Sequence, residues 1–229
     1  MASTLHWQAA IKTQKRALRK NVGAILNQLS STSIEDQSRA IAERVLSLPS
    51  FQRSQSVSCY LSMPSGEART TVLVDAILRS GKILYVPKIQ SSDGTMDFLR
   101  VYSFDDLSSL PSGTWGINEP GESWEGGMRS RVLGSASDSL DLILLPGVAF
   151  DRGLSRLGHG KGYYDQFISA CVTSARPKPL LVGLSLREQL LNDGQVPMTE
   201  HDWKLDVLVT PDETLDMETL KDAPSRLET

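Results

Sequence analysis

LDLILLPGVAFDRGLSRLGHGKGYYDQF, residues Leu140–Phe167, decides how the chain is read. Leu140–Leu145 has the length and apolar character of a strand. Five glycines follow (Gly147, Gly153, Gly158, Gly160 and Gly162), interleaved with Arg152, Arg156 and Lys161, and Tyr163, Tyr164 and Asp165 come next. Glycine lets backbone N–H groups approach an anion closely, and basic side chains neutralise it. Strand, basic glycine-rich loop and helix in succession form the local architecture of a phosphate site. It is not a Walker A loop, because Lys161 precedes a glycine rather than Ser or Thr. Nor does it fit the dinucleotide fingerprint. Asp165, one turn into the expected helix over about 162–172, is placed to hold Mg²⁺ against phosphate oxygens.

Working outward, residues 7–29 have the spacing of an amphipathic helix, with Ile11, Leu18, Val22, Ile25 and Leu29 on one side. Ser33 with Asp36 and Gln37 predicts the start of a second helix that runs to Pro49. Ser56–Leu61 reads as a strand, Thr70–Arg79 as a helix stopped by Gly81, and Ile83–Pro87 as a buried strand: a parallel crossover unit. Thr95–Val101 alternates like an exposed strand. Residues 108–131, rich in Gly, Ser, Pro and Glu, read as a long binding loop. Downstream come strand Leu180–Leu184, a helix over Leu186–Leu191 and a last strand, Asp206–Val209. The pattern is a single α/β domain (core about 7–215, with a frayed C-terminal tail) built on a mostly parallel sheet with helices on both sides. In such folds ligands sit beyond the carboxyl ends of the strands.

The totals narrow the partners. A net charge of −3 over 229 residues argues against a general nucleic-acid surface. No apolar run reaches the roughly 20 residues of a membrane span. Cys59 and Cys171 are too few for a disulfide framework and read as buried thiols in a reducing compartment. The first 34 residues contain no acid but carry Lys12, Lys15, Arg16, Arg19 and Lys20. A mitochondrial leader has that composition, yet these residues lie inside the first helix, so the cytoplasm is the expected compartment. A monomer is the expected state.

The motifs also resemble those of the 5-formyltetrahydrofolate cyclo-ligase family. PGVAFD and RLGHGKGYYDQF match its signature, and Lys15–Arg19 resembles its amino-terminal Lys-x-x-x-Arg helix. Tyr60–Met63 with Glu67 resembles its substrate strand, Trp115–Pro120 (WGINEP) its G-I-x-E-P loop, and Val196-Pro197 with His201-Asp202 its final motif. The resemblance implies a fold like that of NagB, RpiA and the CoA transferases. It also implies ATP- and Mg²⁺-dependent closure of 5-formyltetrahydrofolate to 5,10-methenyltetrahydrofolate. Residue by residue, it implies that Lys15, Arg19, Arg156, Leu157, Gly158, His159, Gly160, Lys161, Gly162, Tyr163 and Tyr164 bind ATP. Of these, Arg156 and Lys161 are the catalytic cations. Leu61, Met63, Glu67, Trp115 and Tyr163 would hold the folate, and Asp165 and Asp202 the metal. His159 occupies a position at which the family varies, often with Arg, Tyr or Gly. A neutral imidazole there is expected to weaken a phosphate contact and to make ATP affinity fall between pH 6 and 8. Two other functions fit the same residues: a protein that sequesters 5-formyltetrahydrofolate without turnover, and a ligase or kinase acting on another formylated or amide substrate.

Overall fold

Short apolar runs with little alternation are the pattern of strands covered on both faces. In the computed structural model, which describes residues 2–90, 95–113, 116–134, 139–174 and 176–218, they meet in one seven-stranded sheet. The chain begins with α1 (Ala2–Leu26), α2 (Ser31–Ser47) and α3 (Pro49–Arg53), then β1 (Ser56–Cys59), α4 (Thr71–Arg79) and β2 (Ile83–Ile89). β3 (Met96–Val101), α5 (Phe104–Ser108), and the hairpin of β4 (Ser123–Trp124) and β5 (Gly127–Met128) follow. Next come β6 (Leu142–Leu145), β7 (Ala149–Asp151), β8 (Arg156–Leu157), α6 (Tyr163–Thr173) and β9 (Leu180–Leu184). β10 (Leu190–Leu191), β11 (Val207–Val209) and β12 (Thr214–Asp216) complete the described elements.

The strand order is β12-β11-β9-β6-β1-β2-β3. The five central strands are parallel, and β3 and β12 close the edges antiparallel. After β1 the chain steps to β2 on one side, then returns to lay β6 on the other. The connections therefore diverge between β1 and β6, and the segments leaving their carboxyl ends enclose a crevice. That crevice receives residues 60–67 from β1 and Pro146 from β6.

Alternate strand residues feed two cores. Val57, Leu84, Leu142, Leu144 and Val182 face Val22, Leu26, Ile41, Val45, Leu73 and Ile77 of α1, α2 and α4. Tyr85, Ile143, Leu145, Leu181 and Leu208 face Phe167, Ile168 and Cys171 of α6. Both cysteines are buried free thiols. No helix among the described residues is long and apolar enough to cross a membrane.

Several sequence expectations shift. α1 ends at Leu26, which is buried, whereas Ile25 is exposed. The cap of α2 is Ser30, whose hydroxyl accepts the Ser33 amide at 3.1 Å, so the helix starts before the serine expected to open it. β3 is buried rather than exposed: Phe98 packs edge-on against Phe167 with ring centroids 4.4 Å apart, and residues 130–132 bond along its free side. The helix expected at Leu186–Leu191 is a single 3-10 turn, Arg187–Gln189, followed by β10. There the buried Gln189 side chain accepts the Leu186 amide and donates to the Gly147 carbonyl at 2.6 Å, fixing a tight turn where an α-helix would place it elsewhere.

The long loop is also less free than its composition suggests. Asp106, fully buried, accepts Arg129 through two bonds of 2.5 and 2.6 Å and caps the Tyr102 amide at 2.9 Å. The Arg129 guanidinium lies over the rings of Trp124 and Tyr102. One buried pair thus clamps both ends of residues 102–129 onto β3. Replacing one partner, as in Arg129→Met or Asp106→Leu, is expected to cost about 3 kcal/mol of unfolding free energy in chemical denaturation, because the other charge stays buried alone. The double variant is expected to recover most of that loss.

Candidate active site

The glycine-rich stretch is a small hairpin followed by a cradle. β7 and β8 pair antiparallel, and β10 joins them as a third strand. At the hairpin turn, the buried Asp151 carboxylate accepts the amides of Ser155 and Val196, each at 3.0 Å. Leu154 takes a left-handed φ of 64°, unusual for a branched side chain, and its carbonyl accepts the Leu205 amide at 2.9 Å. The turn is therefore locked onto the segment that carries Asp202. Arg152 points away from the cleft to an exposed pair with Glu213.

Arg156 is buried, donating to the Pro146 carbonyl at 3.2 Å and to Asp165 at 2.8 Å, with its guanidinium over the Tyr164 ring. Leu157 packs in the core instead of facing the cleft. Beyond it the backbone turns through left-handed glycines, Gly160 at φ 102° and Gly162 at φ 73°, before α6 starts without a side-chain cap. A helix start with free amides, next to basic groups, is an anion site. Lys161 is exposed at the cleft wall and has no hydrogen bond or ion pair among the described residues.

Helix α1 adds two cations, four residues apart and so on one face. Arg19 donates to the Gly158 carbonyl at 2.7 Å, and a Cβ at Gly160 would lie 3.3 Å from its guanidinium carbon. Lys15 pairs with Asp202. Partial burial opposes ionisation of Asp202, but hydrogen bonds from Lys15 and Thr199 outweigh it and hold its carboxyl below the ordinary value. Asp165 accepts the amide of Trp203, the residue after Asp202, at 3.1 Å, which draws both acids to one end of the loop. Each acid is already paired with a cation. Among the described residues no group of three or more His, Cys, Asp or Glu side chains forms a metal cage. Two carboxylates without a cage suit a Mg²⁺ ion that takes its remaining ligands from phosphate and water.

His159 keeps solvent contact but is pressed against the loop. Desolvation, then the Arg19 and Arg156 charges, push its imidazole below the ordinary 6.5. Its charged form is therefore disfavoured, which moves the expected pH effect on ATP toward more acidic conditions.

The cleft continues from this cradle, open to solvent and with mostly apolar walls. Leu61 and Met63 line it beyond β1, Tyr163 and Tyr164 at the start of α6, and Ile89 and Met96 near the β2–β3 connection. Glu67 is buried at its wall, accepting the Met63 amide at 2.7 Å, and burial pushes its carboxyl up to about 7. Trp115 lies outside the described residues. Glu119, not singled out from the sequence, also lines the cleft, buried and 3.4 Å from Lys88. A Cβ at Gly113 would come within 2.7 Å of the Glu119 side chain. Lys15, Arg19, Gly160 and Asp202 support the loop without lining the cleft.

A family model described as the 5-formyltetrahydrofolate cyclo-ligase family matches residues 11–211. The chain belongs to that family. A probable 5-formyltetrahydrofolate cyclo-ligase of Schizosaccharomyces pombe is 38% identical over 88% of this chain and 97% of its own length. The 5-formyltetrahydrofolate cyclo-ligase of Mus musculus is 36% identical over 88% and 96%. The NMR structure of the Aquifex aeolicus 5,10-methenyltetrahydrofolate synthetase superposes with a TM-score of 0.68 at 33% identity, covering 94% of this chain and 96% of that one. The cyclo-ligase match spans β1 to β11 and so includes both the cradle and the apolar cleft.

For this cyclo-ligase family member, the burial of Glu67 has a measurable consequence. Between about 4.5 and 7 the folded state holds a proton at Glu67 that the unfolded chain has released, so stability falls as pH rises through that window. Relative to Glu67→Gln, the wild type is expected to lose about 2–3 kcal/mol across it, and little more above it, in denaturation series.

Proposed function

We propose that this protein is an ATP-dependent cyclo-ligase that converts 5-formyltetrahydrofolate to 5,10-methenyltetrahydrofolate, releasing ADP and phosphate. The observation that carries the reading is a shared wall. Arg156, Lys161, Tyr163 and Tyr164 belong both to the anion cradle and to the apolar cleft that holds Glu67. A phosphoryl group bound by the cradle therefore faces the reactive part of a ligand in the cleft.

The chemistry needs that arrangement because a formamide oxygen is a poor leaving group. The formyl oxygen attacks the γ-phosphorus, an O–P bond forms, and the bond to the β-phosphate oxygen breaks to release ADP. N10 then attacks the formyl carbon, its proton passes to solvent or phosphate, and the C–O bond breaks as phosphate departs. Catalysis of phosphoryl transfer is largely positioning and charge neutralisation. Arg156, held by Pro146, Asp165 and Tyr164, orients the transferring group, and Lys161, without a partner among the described residues, neutralises it. Lys15 and Arg19 hold the phosphates from α1. Glu67 faces the donor-rich edge of the pterin, with Leu61, Met63 and Tyr163 packing on the rings. Asp165 and Asp202 would hold Mg²⁺, which supplies charge neutralisation to the phosphates when bound.

The test is an absorbance assay for methenyltetrahydrofolate with 5-formyltetrahydrofolate and Mg-ATP. Bound folate without signal would leave a sequestering protein instead. Lys161→Ala is expected to lower kcat about 10²–10³-fold with folate affinity unchanged. Equal loss of both would put the phosphate site elsewhere. Because the charged form of His159 is disfavoured, the Michaelis constant for ATP is expected to change little between pH 7 and 8 and to fall only in more acidic buffer.

A further inference from the structure

Two of the cations directed at phosphate are masked by the two acids assigned to the metal. Arg156 pairs with Asp165 and Lys15 with Asp202, and both pairs are largely shielded from solvent. Counting Lys15, Arg19, Arg156 and Lys161 against Asp165 and Asp202, four positive charges less two negative leave two.

We propose that these two ion pairs make the site selective for metal-complexed triphosphate: each acid withholds a cation from metal-free polyanions and releases it when a divalent cation takes the carboxylate. This rests on the reading of the cradle as a nucleotide site and concerns which form of the nucleotide it accepts. A metal-free polyphosphate that recruits Arg156 must displace Asp165 and then lie beside a carboxylate stripped of its partner. Like charges at that distance in a partly desolvated pocket repel strongly. A divalent cation held by Asp165 and Asp202 would reverse the sign of that contact by neutralising the carboxylates, leaving Arg156 and Lys15 for the phosphates.

The hydrogen bonds suit an exchange of partners. When the first pair opens, Arg156 still has the Pro146 carbonyl and Asp165 still has the Trp203 amide. When the second opens, Asp202 keeps the Thr199 amide at 2.6 Å and the Thr199 hydroxyl at 2.7 Å. Those bonds and Lys15 all use Oδ2, so Oδ1 has no donor among the described residues. The acids thus stay in place as their cations leave. The clamp pair Arg129–Asp106 is the contrast, with both partners sealed from solvent and from the cleft.

Isothermal titration of the intact protein with ATP, in EDTA and in excess Mg²⁺, tests this in the wild type, Asp165→Asn, Asp202→Asn and the double variant. The wild type is expected to prefer the Mg²⁺ form. Each amide frees a cation, so metal-free ATP is expected to bind about fivefold tighter per variant, while Mg-ATP binds more weakly and the preference collapses in the double variant. Tripolyphosphate in EDTA should show the same gain, since the masking acts on phosphate charge. Glu119→Gln removes an equal charge from the cleft wall and frees Lys88, but not Arg156 or Lys15, and it should show no such gain. An equal gain in Glu119→Gln would reduce the effect to net charge and overturn the proposal. So would unchanged or weaker metal-free binding in both aspartate variants of a protein that binds Mg-ATP. Each aspartate variant tests its own pair, so the loss of one to misfolding leaves the other decisive. A wild type that binds neither form would remove the nucleotide reading itself, and this inference with it.

Discussion

Arg156 is a cation taken almost wholly out of water, and such a group persists only where its donors are met. It meets them with the Pro146 carbonyl after β6, the Asp165 carboxylate in the first turn of α6, and the face of Tyr164. One guanidinium therefore fixes the end of a central strand, the β7–β8 hairpin and the start of a helix relative to one another. Asp165 carries the constraint onward to Trp203, and the Leu154–Leu205 bond repeats it from the other side of the hairpin. The cradle, although glycines form its backbone, is tied to that buried charge.

The apolar half of the cleft is held by different means. The Arg129–Asp106 pair is deeper than Arg156–Asp165 and has no route to a ligand, so its effect is to pin residues 102–129, which carry Ile117 and Glu119 to the cleft. Glu67 sits under the opposite constraint, with burial raising the energy of its charged form. The cleft therefore sets a neutral-leaning carboxyl close to a strongly cationic loop. On the proposed reading, that asymmetry suits two ligands, an uncharged ring system at one end and a phosphoryl donor at the other.

Many of the residues named from sequence motifs do line one cleft, because the motifs are local. The order strand, glycine loop and helix, and the four-residue spacing of Lys15 and Arg19, are set by neighbouring residues and survive almost unchanged. Expectations failed where distant contacts overrule local pattern. Leu186–Leu191 has helical spacing, yet Gln189 is drawn to Gly147, 42 residues away, and the segment becomes a turn and a strand. Met96–Val101 alternates like a surface strand, yet α6 and residues 130–132 cover it. Glu119 was in a quoted motif and still went unassigned, because its partner Lys88 lies on β2 and nothing between them in sequence marks the meeting.

The amino-acid sequence by itself determined the class of fold, the two buried thiols and the family. Each of these follows from local periodicity, residue type or motif. Only the tertiary structure decided that β1 and β6 flank the point where the connections diverge, that the glycine stretch holds a hairpin, and that Arg156 and Lys15 are matched to Asp165 and Asp202. The reason is physical: strand order and charge pairing are settled by which buried groups can satisfy one another across space, and separation along the chain, 187 residues for Lys15 and Asp202, carries no record of that.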